Sequence, residues 1–348
     1  MRKLRVLALQ RESHVAPGVP SLSVAARVTE VLDYLQHTGK IDYTSITETD
    51  AAAPAGVRWA DVLILSKHSS DSALALARQG RAAGKRLVYD IDDLIFSFPE
   101  YSGGKHKKDK TEQILQIIAQ CDVVTVANLR LQERIREHVD GTVFVPNGMW
   151  VEKYAEHGLP ALSEDAIPDR IVFTNADFIK LDSSKELLLT ALQIFFIRHP
   201  NFVLDFYGDP FPEIVSLPFL HFTNRMPYEQ YIRSLISGHY AFSITPLGAS
   251  EDASAADFNA CKNPFKYLNY GTAGIPGIYS ASPIYTGCIQ EGVTGLIVEN
   301  RLDSWTTALE SLAFDRPLRQ RMREAAFEDI VANHHVHHSA QALWQTFG

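Results

Sequence analysis

Apolar runs of strand length alternate with helical patterns along the whole chain. In the first part the runs fall at Leu4–Leu9, Val62–Leu65, Leu87–Tyr89, Val123–Val126 and Val143–Val145. Between them, patterns of period 3.6 occupy about Ser72–Ala83, Thr111–Gln120 and Leu129–His138. After the first run comes a loop with Pro17, Gly18 and Pro20, and Ser21 is placed to cap a helix reaching about Gln36. Continuous apolar strands alternating with helices predict a parallel sheet covered on both faces, so residues 1–150 are expected to form a Rossmann-like domain. The first strand–helix turn lacks G-x-G-x-x-G, which argues against a dinucleotide-dependent dehydrogenase.

Pro146-Asn147-Gly148 ends the last of these strands in a turn, and the polar, aperiodic stretch 151–168 reads as a linker. A second alternation follows: a strand at Ile171–Thr174, a helix from Ser184 to Arg198, a strand at Phe202–Tyr207, a helix near Tyr228–Ser237 and a strand at Tyr240–Ile244. The stretch from Asp257 to Asn300 then carries a short helix opening at Pro264, a Gly274-x-Pro276 stop, an apolar strand and a Gly-rich turn before Leu296-Ile297-Val298. A second domain is expected over 169–325, with helices over 326–348. The unpaired amides of a helix opening at Pro264, beside Lys262, are where an anion would be held.

The length of 348 residues suits two domains, and 46% hydrophobic with 21% charged residues is ordinary for a globular protein. A net charge of −8 argues against a general nucleic-acid binder. Cys121, Cys261 and Cys288 have no metal-type spacing and cannot all pair, which fits a reducing compartment. The N-terminal apolar run is too short for a signal-peptide core, and no window approaches ~18 apolar residues in a row. A cytoplasmic location is expected, with peripheral contact at the inner face of a membrane left open.

Two stretches carry a family resemblance. Lys266-Tyr-Leu-Asn-Tyr-Gly-Thr-Ala-Gly-Ile-Pro276 resembles the K-x-x-E-Y-x-x-x-G-x-P segment of the large retaining, nucleotide-sugar-dependent group of GT-B glycosyltransferases (group 1, family 4-like), and Gly292-x-x-Gly295-Leu-Ile-Val298 is similar to their G-x-x-G-x-L-V. The segment Ile171–Leu192 resembles their G-R-x-x-x-x-K-G-x-x-x-L-x-x-A, with Lys180 on the Arg and Lys185 on the Lys that neutralise the donor diphosphate. The resemblance implies an α/β GT-B fold: two Rossmann-like domains whose parallel sheets face a central cleft, the last helix, near Ala340–Phe347, crossing back to the first. It implies a retaining sugar transfer from a nucleotide-sugar donor to a carbohydrate or lipid-linked acceptor, in surface polysaccharide or glycoconjugate assembly, with no cofactor and no metal. Where the family keeps one Glu for the donor sugar and another for the ribose, this chain has Lys262 and Asn269. The reversed charge at Lys262 points to an acidic donor sugar, or to a third phosphate ligand.

The candidate donor-binding residues are therefore Lys180, Lys185, Lys262, Asn263, Lys266 and Asn269. Preorganised cations would stabilise the charge that grows on the leaving phosphate; solvated surface lysines and a turn-capping Asn are the bland alternatives. In the first domain, Asp90, Asp92 and Asp93 end a strand, and His68 follows another. Strand ends face the ligand side of an α/β sheet, so these four form an acceptor-side set, with Asp92 joining Lys180 and Lys185 as catalytic candidates. The acids could instead bind a divalent ion or pair with Lys85 or Arg86, and a lone His is more often structural. His334-His335-Val-His337-His338 could chelate a metal if helical, though incidental surface histidines are commoner. The basic loop Gly103–Lys110 is a candidate contact for a lipid headgroup or anionic acceptor, against the commoner solvated loop. A nucleotide-sugar epimerase of the same fold and a catalytically silent GT-B interaction subunit are the competing readings.

Overall fold

A computed structural model describes residues 2–11, 21–97, 108–156, 158–159, 167–175, 184–208, 217, 219–248 and 253–348. The chain divides into two compact units. The first comprises Met1–Trp150, Cys261–Asn263 and His335–Gly348, and the second Val151–Ala260 and Pro264–His334. Lys180 and residues 103–107 of the basic loop lie outside the described residues, as does most of the stretch 157–166.

The first unit is built on strands β1 (Leu4–Gln10), β2 (Ile41–Thr47), β3 (Val62–Ser66), β4 (Arg86–Ile91), β5 (Val123–Val126) and β6 (Thr142–Phe144). All pair in parallel, in the order β2-β1-β3-β4-β5-β6. The inner strands are the apolar runs legible in the sequence. The outer strand β2, IDYTSIT, buries only its first residue fully, and its polar alternation hid it from a search for buried runs. The helical stretch after β1 opens at Leu22, loosens into a π turn over Ala25–Thr29 and continues as an α-helix over Glu30–His37. Its Val24, Val28, Val31, Leu32 and Leu35 pack on Val6, Ala8, Ile64 and Val88 of the sheet. The same core takes in Val336, Ala340, Leu343 and Phe347 from the helix Val336–Gln345 and its C-terminal flank.

The second unit repeats the plan with β7 (Arg170–Asn175), β8 (Val203–Gly208), β9 (Leu220–Thr223), β10 (Phe242–Thr245), β11 (Gly277–Ser280) and β12 (Leu296–Val298), again parallel, in the order β12-β11-β10-β7-β8-β9. The helices Ser184–Arg198 and Leu302–Phe314 bury Leu188, Leu192, Phe195, Trp305, Leu309 and Leu312 against Phe173, Phe206 and Phe242. The edge strand β9, LHFT, is partly exposed throughout.

Two glycines shape strand and helix ends here. Gly208 closes β8 at φ 155°, where an added Cβ would lie 1.9 Å from the Asn175 carbonyl oxygen. Gly274, at φ 65°, follows the helix Phe265–Thr272 in the left-handed conformation. Its N–H donates to Gly271 O (3.0 Å) and the Ile275 N–H to Tyr270 O (2.8 Å), the paired bonds of a Schellman stop.

Candidate functional site

Each sheet reverses its strand order once, between β1 and β3 in the first unit and between β7 and β10 in the second. In doubly wound sheets, ligands bind beyond the C-terminal strand ends at such a reversal. The candidate residues collect at these ends.

In the first unit, β3 ends at Ser66, and Lys67 takes the left-handed conformation (φ 51°), a strained state for a side chain with a Cβ. Its N–H donates to the Asp90 carbonyl at 3.1 Å. Its ammonium forms ion pairs with Asp92 and with Asp93 (3.3 Å) and donates to the Ser23 hydroxyl at 3.2 Å. Burial works against the charge on Lys67, but Asp92 and then Asp93 outweigh it and hold the ammonium above its ordinary pKa. Asp90, fully buried, takes Arg27 as its partner: Arg27 Nε lies 3.1 and 3.2 Å from the two carboxylate oxygens, and the Thr125 hydroxyl donates to Asp90 at 2.7 Å. Burial raises the Asp90 carboxyl, with Arg27 and Thr125 working against that rise. The pairing with Lys85 or Arg86 considered from sequence is replaced: Lys85 donates to Arg58 O and Arg86 to Thr346 O.

His68 is buried beside this loop. Its Nδ1 accepts from the Ser66 N–H (3.0 Å), which places the proton of the neutral ring on Nε2, 3.4 Å from Glu48 Oε2. Burial, and then the positive charge of Arg11, lower its pKa to about 4, against an opposing hydrogen bond to the Gln10 backbone.

Cys261–Asn263 joins the same edge. Asn128 Nδ2 donates to the carbonyls of Cys261 (3.0 Å) and Lys262 (3.1 Å). Asn263 accepts from Asn147 Nδ2 at 2.8 Å and donates to the Asp92 carbonyl at 2.5 Å. Arg27 completes the connection, donating to Val145 O at 2.5 Å and to Asn147 Oδ1 at 3.2 Å. Asn263, expected as a donor ligand, is thus brought to the acidic loop of the first unit, and Lys262 is held by its carbonyl against Asn128.

In the second unit Lys185 is half-buried in the first turn of the helix Ser184–Arg198, which follows β7. Lys266 occupies the first turn of the helix Phe265–Thr272, its ammonium 6.0 Å from the Phe173 ring centroid. Asn269 is buried, and its carbonyl oxygen accepts from the Tyr228 hydroxyl at 2.9 Å, next to Tyr231, whose hydroxyl donates to Thr174 at 3.0 Å.

Among the described residues no group of three or more His, Cys, Asp or Glu side chains converges as a metal ion would require. His335 caps the helix Val336–Gln345, accepting from the His337 N–H at 3.1 Å. Sequence reasoning missed Lys67 and Arg27. Arg27 carried a signal, being a charged residue on the apolar stripe formed by Val24, Val28, Val31 and Leu35.

No protein-family description matches the sequence, and no curated protein matches it. Solved structures do match. Anabaena HepE in complex with UDP-glucose superposes with a TM-score of 0.67 at 13% identity, covering 99% of each chain. A glycosyltransferase from Rickettsia africae gives 0.64 at 12% identity over 100% of this chain and 98% of the other. A putative UDP-N-acetylglucosamine 2-epimerase from Listeria monocytogenes gives 0.59 at 9% identity over 99% and 95%. TarM matches with 0.60 at 10% identity, and this chain covers 58% of its length. At these identities the likeness is one of fold, and the fold is GT-B.

Proposed function

We propose that the protein is a glycosyltransferase that moves a sugar from a nucleotide-sugar donor to a carbohydrate or lipid-linked acceptor with retention of anomeric configuration, in surface polysaccharide or glycoconjugate assembly. The observation that carries this reading is the end-to-end likeness to HepE, whose structure holds UDP-glucose. Lys180, Lys185 and Lys266 would bind the donor phosphates. As the bond from the sugar's anomeric carbon to phosphate oxygen breaks, the nucleoside diphosphate takes the electron pair and these ammonium groups stabilise it. The acceptor hydroxyl loses its proton to the departing phosphate on the same face as its oxygen bonds to the sugar carbon. Of the acceptor-side set, Asp93 is the group exposed to an acceptor hydroxyl, while the buried Asp92, Asp90 and His68 support the loop that carries it, and no divalent ion takes part.

The likeness to the Listeria protein supports a second reading, an epimerase acting without an acceptor. Incubation with a panel of nucleotide sugars and candidate acceptors, read by mass spectrometry and by proton NMR, separates the two. A product heavier by one sugar supports transfer, and a donor of unchanged mass but altered stereochemistry supports epimerisation. Binding without turnover of any donor refutes both.

A further inference from the structure

We propose that Lys67 is the built-in cation of the acidic loop, a positioning residue whose ammonium takes the place between Asp92 and Asp93 that a divalent metal ion would otherwise fill. This rests on the reading of that loop as acceptor-side, though its test requires no turnover. An ammonium has three donors, and the Lys67 group meets three partners: Asp92, Asp93 at 3.3 Å and the Ser23 hydroxyl at 3.2 Å. Those same three oxygens are of the kind that hard divalent cations take as ligands. The third acid is withdrawn from the group, because Asp90 is paired with Arg27 and hydrogen-bonded to Thr125. The backbone supports the assignment. Lys67 holds a left-handed conformation that a residue with a Cβ adopts at a cost, and such strain persists where the surroundings fix it. Here the Asp90 carbonyl fixes the backbone and the two carboxylates fix the side chain. Asp93 is 41% exposed on its side chain, so the loop can be reached from solvent while Lys67 lies behind it. With one of the two negative charges balanced in this way, the exposed Asp93 can accept a hydrogen bond from a sugar hydroxyl without recruiting a metal.

The test is Mn²⁺ binding to the full chain, followed by electron paramagnetic resonance without donor or acceptor. Lys67→Gly removes the ammonium and accepts the backbone conformation, whereas Lys67→Arg keeps the charge. Wild type and Lys67→Arg are expected to leave Mn²⁺ free, Lys67→Gly to bind one ion, and Lys67→Gly/Asp92→Asn to lose it. If Lys67→Gly folds poorly, Mn²⁺ should restore its melting transition. The proposal is overturned if Lys67→Gly neither binds Mn²⁺ nor is rescued by it, or if wild type binds Mn²⁺ in a way that Asp92→Asn abolishes. Once transfer is measurable, Lys67→Gly should raise the acceptor KM and leave the donor KM unchanged; a fall in kcat alone would contradict the positioning role. A protein without transferase activity would refute the functional reading and leave the Mn²⁺ result to decide the role of Lys67.

Discussion

His68 should make the first unit acid-labile, with a sign that the structure fixes. Its folded pKa of about 4 lies below the ordinary imidazole value of 6.5 because burial, and then Arg11, disfavour the imidazolium. As pH falls through the unfolded value the unfolded chain takes up the proton first, so stability present above about pH 6.5 is lost progressively down to about pH 4. At roughly 1.4 kcal/mol per pKa unit the ceiling is about 3 kcal/mol, of which about 2 kcal/mol should disappear between pH 7 and pH 5. His68→Asn keeps an acceptor for the Ser66 N–H and removes the titration. Urea unfolding at the two pH values can be followed by tryptophan emission, since Trp59, Trp150 and Trp344 lie in the first unit and Trp305 alone in the second. Wild type should lose about 2 kcal/mol more than His68→Asn over that interval. Equal losses would refute the reasoning. A smaller loss in wild type would mean that Glu48, 3.4 Å from Nε2, governs the ring and raises its pKa.

Asp90→Asn should destabilise the first unit by about 3–5 kcal/mol, because it leaves the Arg27 guanidinium buried without its counter-charge, and Arg27→Met/Asp90→Leu should recover part of that in the same urea assay. Lys185→Ala should cost about 1.5–3 kcal/mol in kcat/KM through the donor, with unfolding unchanged; donor kinetics within twofold of wild type would remove it from the site. Gly208→Ala should cost about 3 kcal/mol or more, measured by calorimetry, because its Cβ would fall against a backbone oxygen that only a shift of β7 can move.

The interior of both sheets was legible because parallel strands covered on two faces are written as uninterrupted apolar runs, as at Val62–Leu65 and Phe202–Tyr207. The outer strands β2 and β9 were not, since a strand with one neighbour and solvent on its flank keeps polar residues such as Asp42, Thr44 and His221. The short helices Ala53–Trp59 and Ala253–Ala260 gave too few periods to be recognised. At the candidate site, Asp90, Asp92 and Asp93 could be picked out as a cluster, but their charge state could not. It depends on Arg27, from a π turn far upstream, and on Lys67, whose ammonium is aimed by a backbone conformation that no sequence pattern announces. Asn263 shows the same limit. Its place beside Asp92 follows from a three-residue excursion of the chain into the first unit, which no local periodicity encodes.

The helix Val336–Gln345 sets the order in which the protein can mature. The core that contains Val6, Leu32 and Val88 is closed by Val336, Ala340, Leu343 and Phe347, which leave the ribosome after the entire second unit has been made. During synthesis the first sheet therefore waits with an apolar face uncovered until the second unit has been made. A nascent chain stalled or cleaved before residue 336 would display that face to chaperones and to other copies of itself.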